Sequence, residues 1–286
     1  MSEFTYVRAH SLDEALALLN APGVRCRVLA GGTDLVNQLR QGEVTPDRVV
    51  DVAHVPALRG IEEVGGGAIR IGAAVTHAEI AASALLAEQA PLLVQACRQI
   101  GSPQIRNAGT IGGNVANAAA CADTLPALVC LEARAVVVST AGVERVPVAD
   151  LVTGVYQTTL PPGGLLQAFE FEAPPPGSRM SFQRIGRRQA LAIARLSVAA
   201  LGALDGEGRV SLLRLVPGAA SARFRRARRV EETLAGRQPT AARIAEAGQE
   251  MARLFLEESG GRWSAPYKER TIAALTERAL AEVLAA

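Results

Sequence analysis

Two short stretches carry residues able to grip a polar ligand. The first, Ala30-Gly31-Gly32-Thr33-Asp34, follows a short strand-like stretch, Cys26–Leu29, and precedes a helical pattern. Glycines there let a ligand reach the backbone, and they adopt conformations that other residues resist. Successive backbone N–H groups in such a turn can hold a diphosphate without any lysine. A plain strand-to-helix turn capped by Thr33 or Asp34 explains the same residues with no ligand at all. The second stretch, Gly109-Thr110-Ile111-Gly112-Gly113-Asn114-Val115-Ala116-Asn117, reads as a loop and runs on through Cys121 and Asp123 to Pro126. It suits a long polar ligand: backbone N–H groups to phosphate, Asn or Asp side chains to sugar-like hydroxyls. A buried turn whose asparagines satisfy their own backbone is the competing account.

Other chemistry is sparse. The chain has no GxxxxGK[ST] segment, and no GxGxxG follows a strand, so the standard phosphate loops are absent. No nucleophile stands beside an acid–base partner, and no catalytic residue is assigned. His10, His54 and His77 are scattered, and Cys26, Cys97, Cys121 and Cys130 are irregularly spaced with no CxxC. No metal ligand set is therefore assigned. Cys121 reads as an inert buried thiol. His77 either borders a ligand or fills the first turn of a short helix. Arg223, Arg225, Arg226, Arg228 and Arg229 read as a solvated helix face with ion pairs to acids three or four residues away, or as a docking surface.

The elements that must position these residues follow from pattern. Phe4–Val7, Cys26–Leu29 and Arg48–Asp51 read as strands, with helices from Leu12 to about Asn20 and from Asp34 to Gln41. Ser11 with Glu14, and Thr76 with Glu79, form capping boxes. Ile61–Val64 and Ala68–Ile71 flank three glycines as a hairpin. A long helix is expected from about Ser83 to Ile100, and another from Thr124 to Leu131. Strands are expected at Ala135–Ser139, Leu165–Glu172, Met180–Ile185 and Val210–Val216. Pro174-Pro175-Pro176-Gly177 reads as a stiff linker. Helices near Ala222–Leu234, Ala241–Leu256 and Glu269–Leu284 close the chain.

With 286 residues and 49% apolar content, the chain is long enough for more than one core. Its 30 basic and 28 acidic residues leave a formal charge of +2, too little for nucleic acid as the main partner. An aromatic content of 3% disfavours stacking platforms for single strands. The longest charge-free run, Leu151–Phe169, is interrupted by Pro161-Pro162-Gly163-Gly164 and reads as no membrane span. Glu3 and Arg8 precede any apolar run, so no secretory signal is seen, and a reduced, cytoplasmic protein is expected.

Together, AGGTDL (Ala30–Leu35) and GTIGGNVANAAACADTLPAL (Gly109–Leu128) resemble the flavin-binding subunits of molybdenum hydroxylases, the family of xanthine dehydrogenase flavin domains and carbon monoxide dehydrogenase medium subunits. The likeness extends to Val155–Leu160 with Gly164–Leu166, and to Phe182–Arg188 with Ala192–Ala194, and so spans nearly the whole chain. Where many relatives carry Ser-Pro, this chain has Ala119-Ala120. The resemblance implies an α+β fold. A two-lobed PCMH-type FAD-binding domain would cover residues 1–173, with a small α/β lobe to about 55 and a larger α+β lobe over about 56–173. A C-terminal domain, 178–286, would pack a β-sheet with helices.

The resemblance also implies noncovalent, extended FAD. Ala30, Gly31, Gly32, Thr33 and Asp34, with Thr110, Ile111, Gly112, Gly113 and Asn114, would contact its diphosphate. Asn117 would lie near the diphosphate, Asp123 would bond the ribityl chain, and Leu151 and Arg195 would lie near the isoalloxazine. Electrons would come from the [2Fe-2S] clusters of a small partner subunit, after chemistry at a molybdopterin cofactor in a large one. They would leave to an external acceptor. The assembly would be a heterotrimer or its dimer. A stand-alone flavin-dependent reductase or oxidase of similar fold, and a non-enzymatic nucleotide-binding scaffold, are the alternatives.

Overall fold

In the computed structural model, residues 3–188, 191–259 and 265–285 are described. The N-terminal lobe contains β1 (Thr5–Arg8), α1 (Leu12–Leu19), β2 (Cys26–Leu29), α2 (Leu35–Gln41) and β3 (Arg48–Asp51). Its three strands form a parallel sheet in the order β1-β3-β2. Ser11 caps α1 by accepting the Glu14 N–H at 3.1 Å, and the Glu14 carboxylate reaches back to the His10 N–H at 2.7 Å. Because the strands are parallel, β2 delivers the chain to its C-terminal edge, where the turn at 30–34 begins.

The larger lobe is built on a five-stranded antiparallel sheet. Its first elements are β4 (Ile61–Val64), β5 (Ala68–Gly72), α3 (His77–Ala82), α4 (Ala84–Gln89) and α5 (Pro91–Arg98). The single helix expected over Ser83–Ile100 is thus two. Ala90 leaves helical geometry (φ −145°, ψ 54°) ahead of Pro91, whose ring disfavours a helical residue before it. Next come α6 (Pro103–Ala108), α7 (Ile111–Asn117) and α8 (Thr124–Cys130). The stretch expected as a loop at 109–117 is therefore mostly helix. Thr110 caps it by accepting the Gly113 N–H at 3.1 Å, and the Gly112 N–H donates to the Ala73 carbonyl at 2.8 Å. These bonds hold two glycines in a helix they would otherwise weaken. The lobe finishes with β6 (Arg134–Ser139), β7 (Gly142–Pro147), α9 (Val148–Leu151), β8 (Val152–Gly154), β9 (Gln157–Thr158) and β10 (Leu165–Glu172). The main sheet runs β4-β5-β10-β6-β7, and β8 and β9 pair as a separate hairpin.

Beyond the turn at 174–178 stand β11 (Arg179–Ile185), β12 (Leu196–Leu204), β13 (Val210–Gly218), α10 (Arg228–Leu234), α11 (Ala241–Ser259) and α12 (Ala265–Val283). The strands form an antiparallel sheet with β12 in the centre. Alternate β12 residues serve different cores: Ala199 and Leu201 join the core of the larger lobe, while Val198 and Ala200 join the one under α11 and α12. The helix expected from Ala222 begins only at Arg228. Ala219 is left-handed (φ 54°), Phe224 is buried, and the Arg223 guanidinium donates to the Thr153 carbonyl at 2.9 Å. The arginine cluster consequently pairs across elements: Arg226 with Glu132 and Glu231, Arg229 with Glu250 and Glu257. Among the described residues, no helix is long and apolar enough to cross a membrane.

Candidate functional site

A cavity of about 600 Å³ lies between the two N-terminal lobes. Residues 30–35 form one wall, and Gly109, Thr110, Gly112, Gly113, Asn114, Ala116 and Asn117 form part of the other. Leu160 to Leu166 line the cavity as well. The size falls within the roughly 300–1,000 Å³ of small-molecule sites. The two glycine stretches touch directly because Gly31 has no side chain. A Cβ there would strike the Ala108 carbonyl and stand 2.8 Å from the Gly109 Cα. Gly32 is needed for a different reason, a left-handed backbone at φ +70°.

The two walls offer different chemistry. In the first, the backbone N–H groups of Gly31, Gly32, Thr33, Asp34 and Leu35 have no acceptor among the described residues. Consecutive unpartnered donors beside a cavity form a concave anion site. In the second, the donors are used internally: Gly112 to Ala73, Gly113 to the Thr110 hydroxyl, Asn114 to the Thr110 carbonyl at 3.0 Å. That wall therefore presents side chains. The Thr124 hydroxyl donates to Asn114 Oδ1 at 2.6 Å, which leaves the Asn114 NH2 for a ligand. Asn117 lies one helical turn further along α7, half-buried on the same face. Asp34, exposed on the first wall, has the wrong charge for phosphate and the right acceptors for sugar hydroxyls.

Four expected contact residues do not line this cavity. Ile111 and Leu151 are fully buried in the core of the larger lobe. Asp123 is bound by Arg184 of β11, whose Nε lies 3.1 Å from each carboxylate oxygen. Burial pushes the Asp123 carboxyl up to about 6, against the pull of Arg184. Arg195 stands in the C-terminal part of the chain, its guanidinium 5.4 Å from the centre of the Tyr267 ring. Cys121 is half-buried, and burial raises its thiol.

His77 opens α3 and also lines the cavity, with its backbone N–H donating to the Gly109 carbonyl at 3.0 Å. Burial, reinforced by Arg106, lowers its imidazole to about 4, so the ring is neutral at pH 7. Its Nδ1 lies 3.8 Å from the buried Cys97 sulfur. Arg27, Tyr156 and the Pro161–Gly163 corner also line the cavity and escaped the sequence reading. Tyr156 lay within the Val155–Leu160 likeness without a site role, and the turn composition of Pro161–Gly163 spoke for a break rather than a wall.

The chain is similar to known proteins along nearly its whole length. Residues 2–173 match the family described as FAD binding domain in molybdopterin dehydrogenase. Residues 181–283 match the family described as CO dehydrogenase flavoprotein C-terminal domain. The chain is 31% identical over 282 residues to the 6-hydroxypseudooxynicotine dehydrogenase complex subunit alpha of Paenarthrobacter nicotinovorans, covering 98% of this chain and 94% of that one. It is 30% identical over 283 residues to the putative xanthine dehydrogenase FAD-binding subunit of Escherichia coli K12, covering 99% and 96%. A solved structure of carbon monoxide dehydrogenase from Hydrogenophaga pseudoflava superposes with a TM-score of 0.92 at 27% identity, covering 99% of this chain and 98% of that one.

Proposed function

The chain belongs to the FAD-binding subunits of the molybdenum hydroxylases, and on that premise we propose that it holds FAD between its N-terminal lobes as the electron outlet of a larger complex. The run of five unpartnered N–H groups at 31–35 carries this reading, because a diphosphate is the part of FAD that such donors fit. Gly31 lets this run pack against the facing wall, Gly32 supplies the left-handed backbone that shapes it, and exposed Gly113 leaves room on that facing wall. Thr110, Asn114 and Asn117 line the cavity and on this reading bond sugar and ribityl hydroxyls, and Arg27 adds positive charge there. Bound here, FAD supplies reversible two-electron redox chemistry, while the protein binds, orients and shields it.

The organic reaction belongs, on this reading, to partners: a large subunit with a molybdopterin cofactor and a small one with [2Fe-2S] clusters, as a heterotrimer or its dimer. The four cysteines are free and dispersed over β2, α5, the segment before α8, and α8 itself, a distribution suited to a flavin carrier rather than a cluster carrier. Visible absorption and subunit content of the complex, purified after expression with its neighbouring genes, test the proposal. The expected result is one FAD per copy of this chain, a co-purifying larger molybdenum-containing chain, and no hydroxylase turnover by this chain alone. A colourless chain that stays without flavin after incubation with FAD would refute it.

A further inference from the structure

Tyr156 occupies a position that its side chain should avoid. Gly154 pairs with Gln157 across the β8–β9 hairpin, so Val155 and Tyr156 form its two-residue turn. Tyr156 is left-handed there, at φ 58°, a conformation that glycine or asparagine takes readily and a bulky residue resists. The turn is fixed from three sides. The Tyr156 N–H donates to the carbonyl of Ala118, itself left-handed at the end of α7, at 2.9 Å. Arg223 holds the Thr153 carbonyl from the C-terminal part of the chain, and the Thr159 N–H donates to the Leu151 carbonyl at 2.9 Å.

This bracing does not serve to bury the ring. Tyr156 is 68% exposed, and it lines the cavity beside the helix that carries Asn114 and Asn117. A strained backbone, over-determined by its neighbours, that presents an aromatic side chain at a ligand cavity is the pattern of a binding position. Among the described residues lining that cavity, Tyr156 carries the one benzene-type ring, the other ring being the buried imidazole of His77.

We propose that Tyr156 is a ligand-positioning residue whose ring lies against one of the planar heterocycles of the bound dinucleotide. This rests on the FAD reading above. Stacking of an aromatic side chain on such a ring is chemically tolerant, so the phenol hydroxyl is dispensable while the ring is not.

The flavin-stripped full chain, Tyr156→Phe and Tyr156→Gly would be titrated with FAD, FMN and ADP, and each protein melted without ligand. Tyr156→Phe should bind FAD within about twofold of wild type, and Tyr156→Gly about tenfold more weakly. The glycine variant should melt no lower than wild type, because glycine suits the left-handed turn. Weakened FMN with unchanged ADP would assign the ring to the isoalloxazine, and the reverse would assign it to adenine. Wild-type affinity of Tyr156→Gly for FAD overturns this inference alone. Failure of wild type itself to bind FAD overturns the parent reading with it.

Discussion

The two glycine stretches look alike in the sequence and do opposite things in the fold. Both lead from an extended segment into a seven-residue helix, α2 or α7. At α7, Thr110 adopts extended geometry and its hydroxyl takes the Gly113 N–H. At α2, the residue in the equivalent place, Asp34, is already helical (φ −102°, ψ −52°) and makes no side-chain cap. A capped helix start closes its donors, and an uncapped one leaves them for a ligand. Glycine-rich composition therefore says that the backbone comes close to something. The cap decides whether that something is the protein itself.

The harshest way to break this comparison is to add side chains to the glycines. Gly31→Val and Gly112→Val should do most damage, because the atoms in the way are backbone or the Cβ of Ala73 and cannot swing aside. At Gly112 a Cβ would stand 2.6 Å from the Ala73 carbonyl oxygen. Each variant should lose about 1–3 kcal/mol or more of stability and retain little flavin. Gly113→Ala should differ: its Cβ would meet only the Thr110 hydroxyl, at 2.9 Å, and the position is exposed. It should melt within about 0.5 kcal/mol of wild type. Thermal melts and flavin content per chain read both effects. A Gly31→Val protein that melts and colours like wild type would show that the walls do not need their close approach.

A milder contrast sharpens the point. Thr110→Ala removes a cap and should cost about 1 kcal/mol, whereas Thr33→Ala should cost less than about 0.5, since the Thr33 hydroxyl reaches only the Asp34 carboxylate, at 3.4 Å. Urea midpoints measure both. Equal losses would mean that the first stretch is capped in solution and its donors are not open.

What the sequence disclosed and what it hid follow from range. Local signals survived folding: the Ser11–Glu14 and Thr76–Glu79 caps, strands β2, β3 and β10, and the glycine hairpin before β5. Strand β12 was missed because both of its faces are buried, so its apolar run has no alternation to read. The onset at Arg228 was missed because the helix read from Ala222 is overridden by Phe224 entering the core and Arg223 reaching Thr153. At the site, the cavity-lining glycines and asparagines were legible as motifs. The capture of Asp123 by Arg184 was not, since it joins residues 61 positions apart. Nor was Tyr156, whose importance lies in a backbone angle and not in its surroundings in the chain.

The smallest expected effect concerns pH, and it separates the walls again. The closed stretch is bracketed by two buried ionisable groups, His77 beneath Gly109 and Asp123 beyond Asn117, while the acid of the open stretch, Asp34, is exposed. His77 falls from its usual 6.5 to about 4, so the unfolded chain binds that proton more readily. Its contribution to stability is complete above 6.5 and is lost as pH falls toward 4. Asp123 rises from 3.8 to about 6, so the folded chain binds that proton more readily. Its contribution is complete below 3.8 and is lost as pH rises toward 6. The slopes oppose each other, and the pair should change wild-type stability by less than about 1 kcal/mol between about pH 4 and 6. His77→Gln should unmask the Asp123 slope, so that the protein weakens as pH rises through that window. Asp123→Asn should unmask the His77 slope and strengthen over the same range. Urea midpoints across the window read the sign, and parallel pH profiles for the two variants would show that these groups do not titrate as their burial requires.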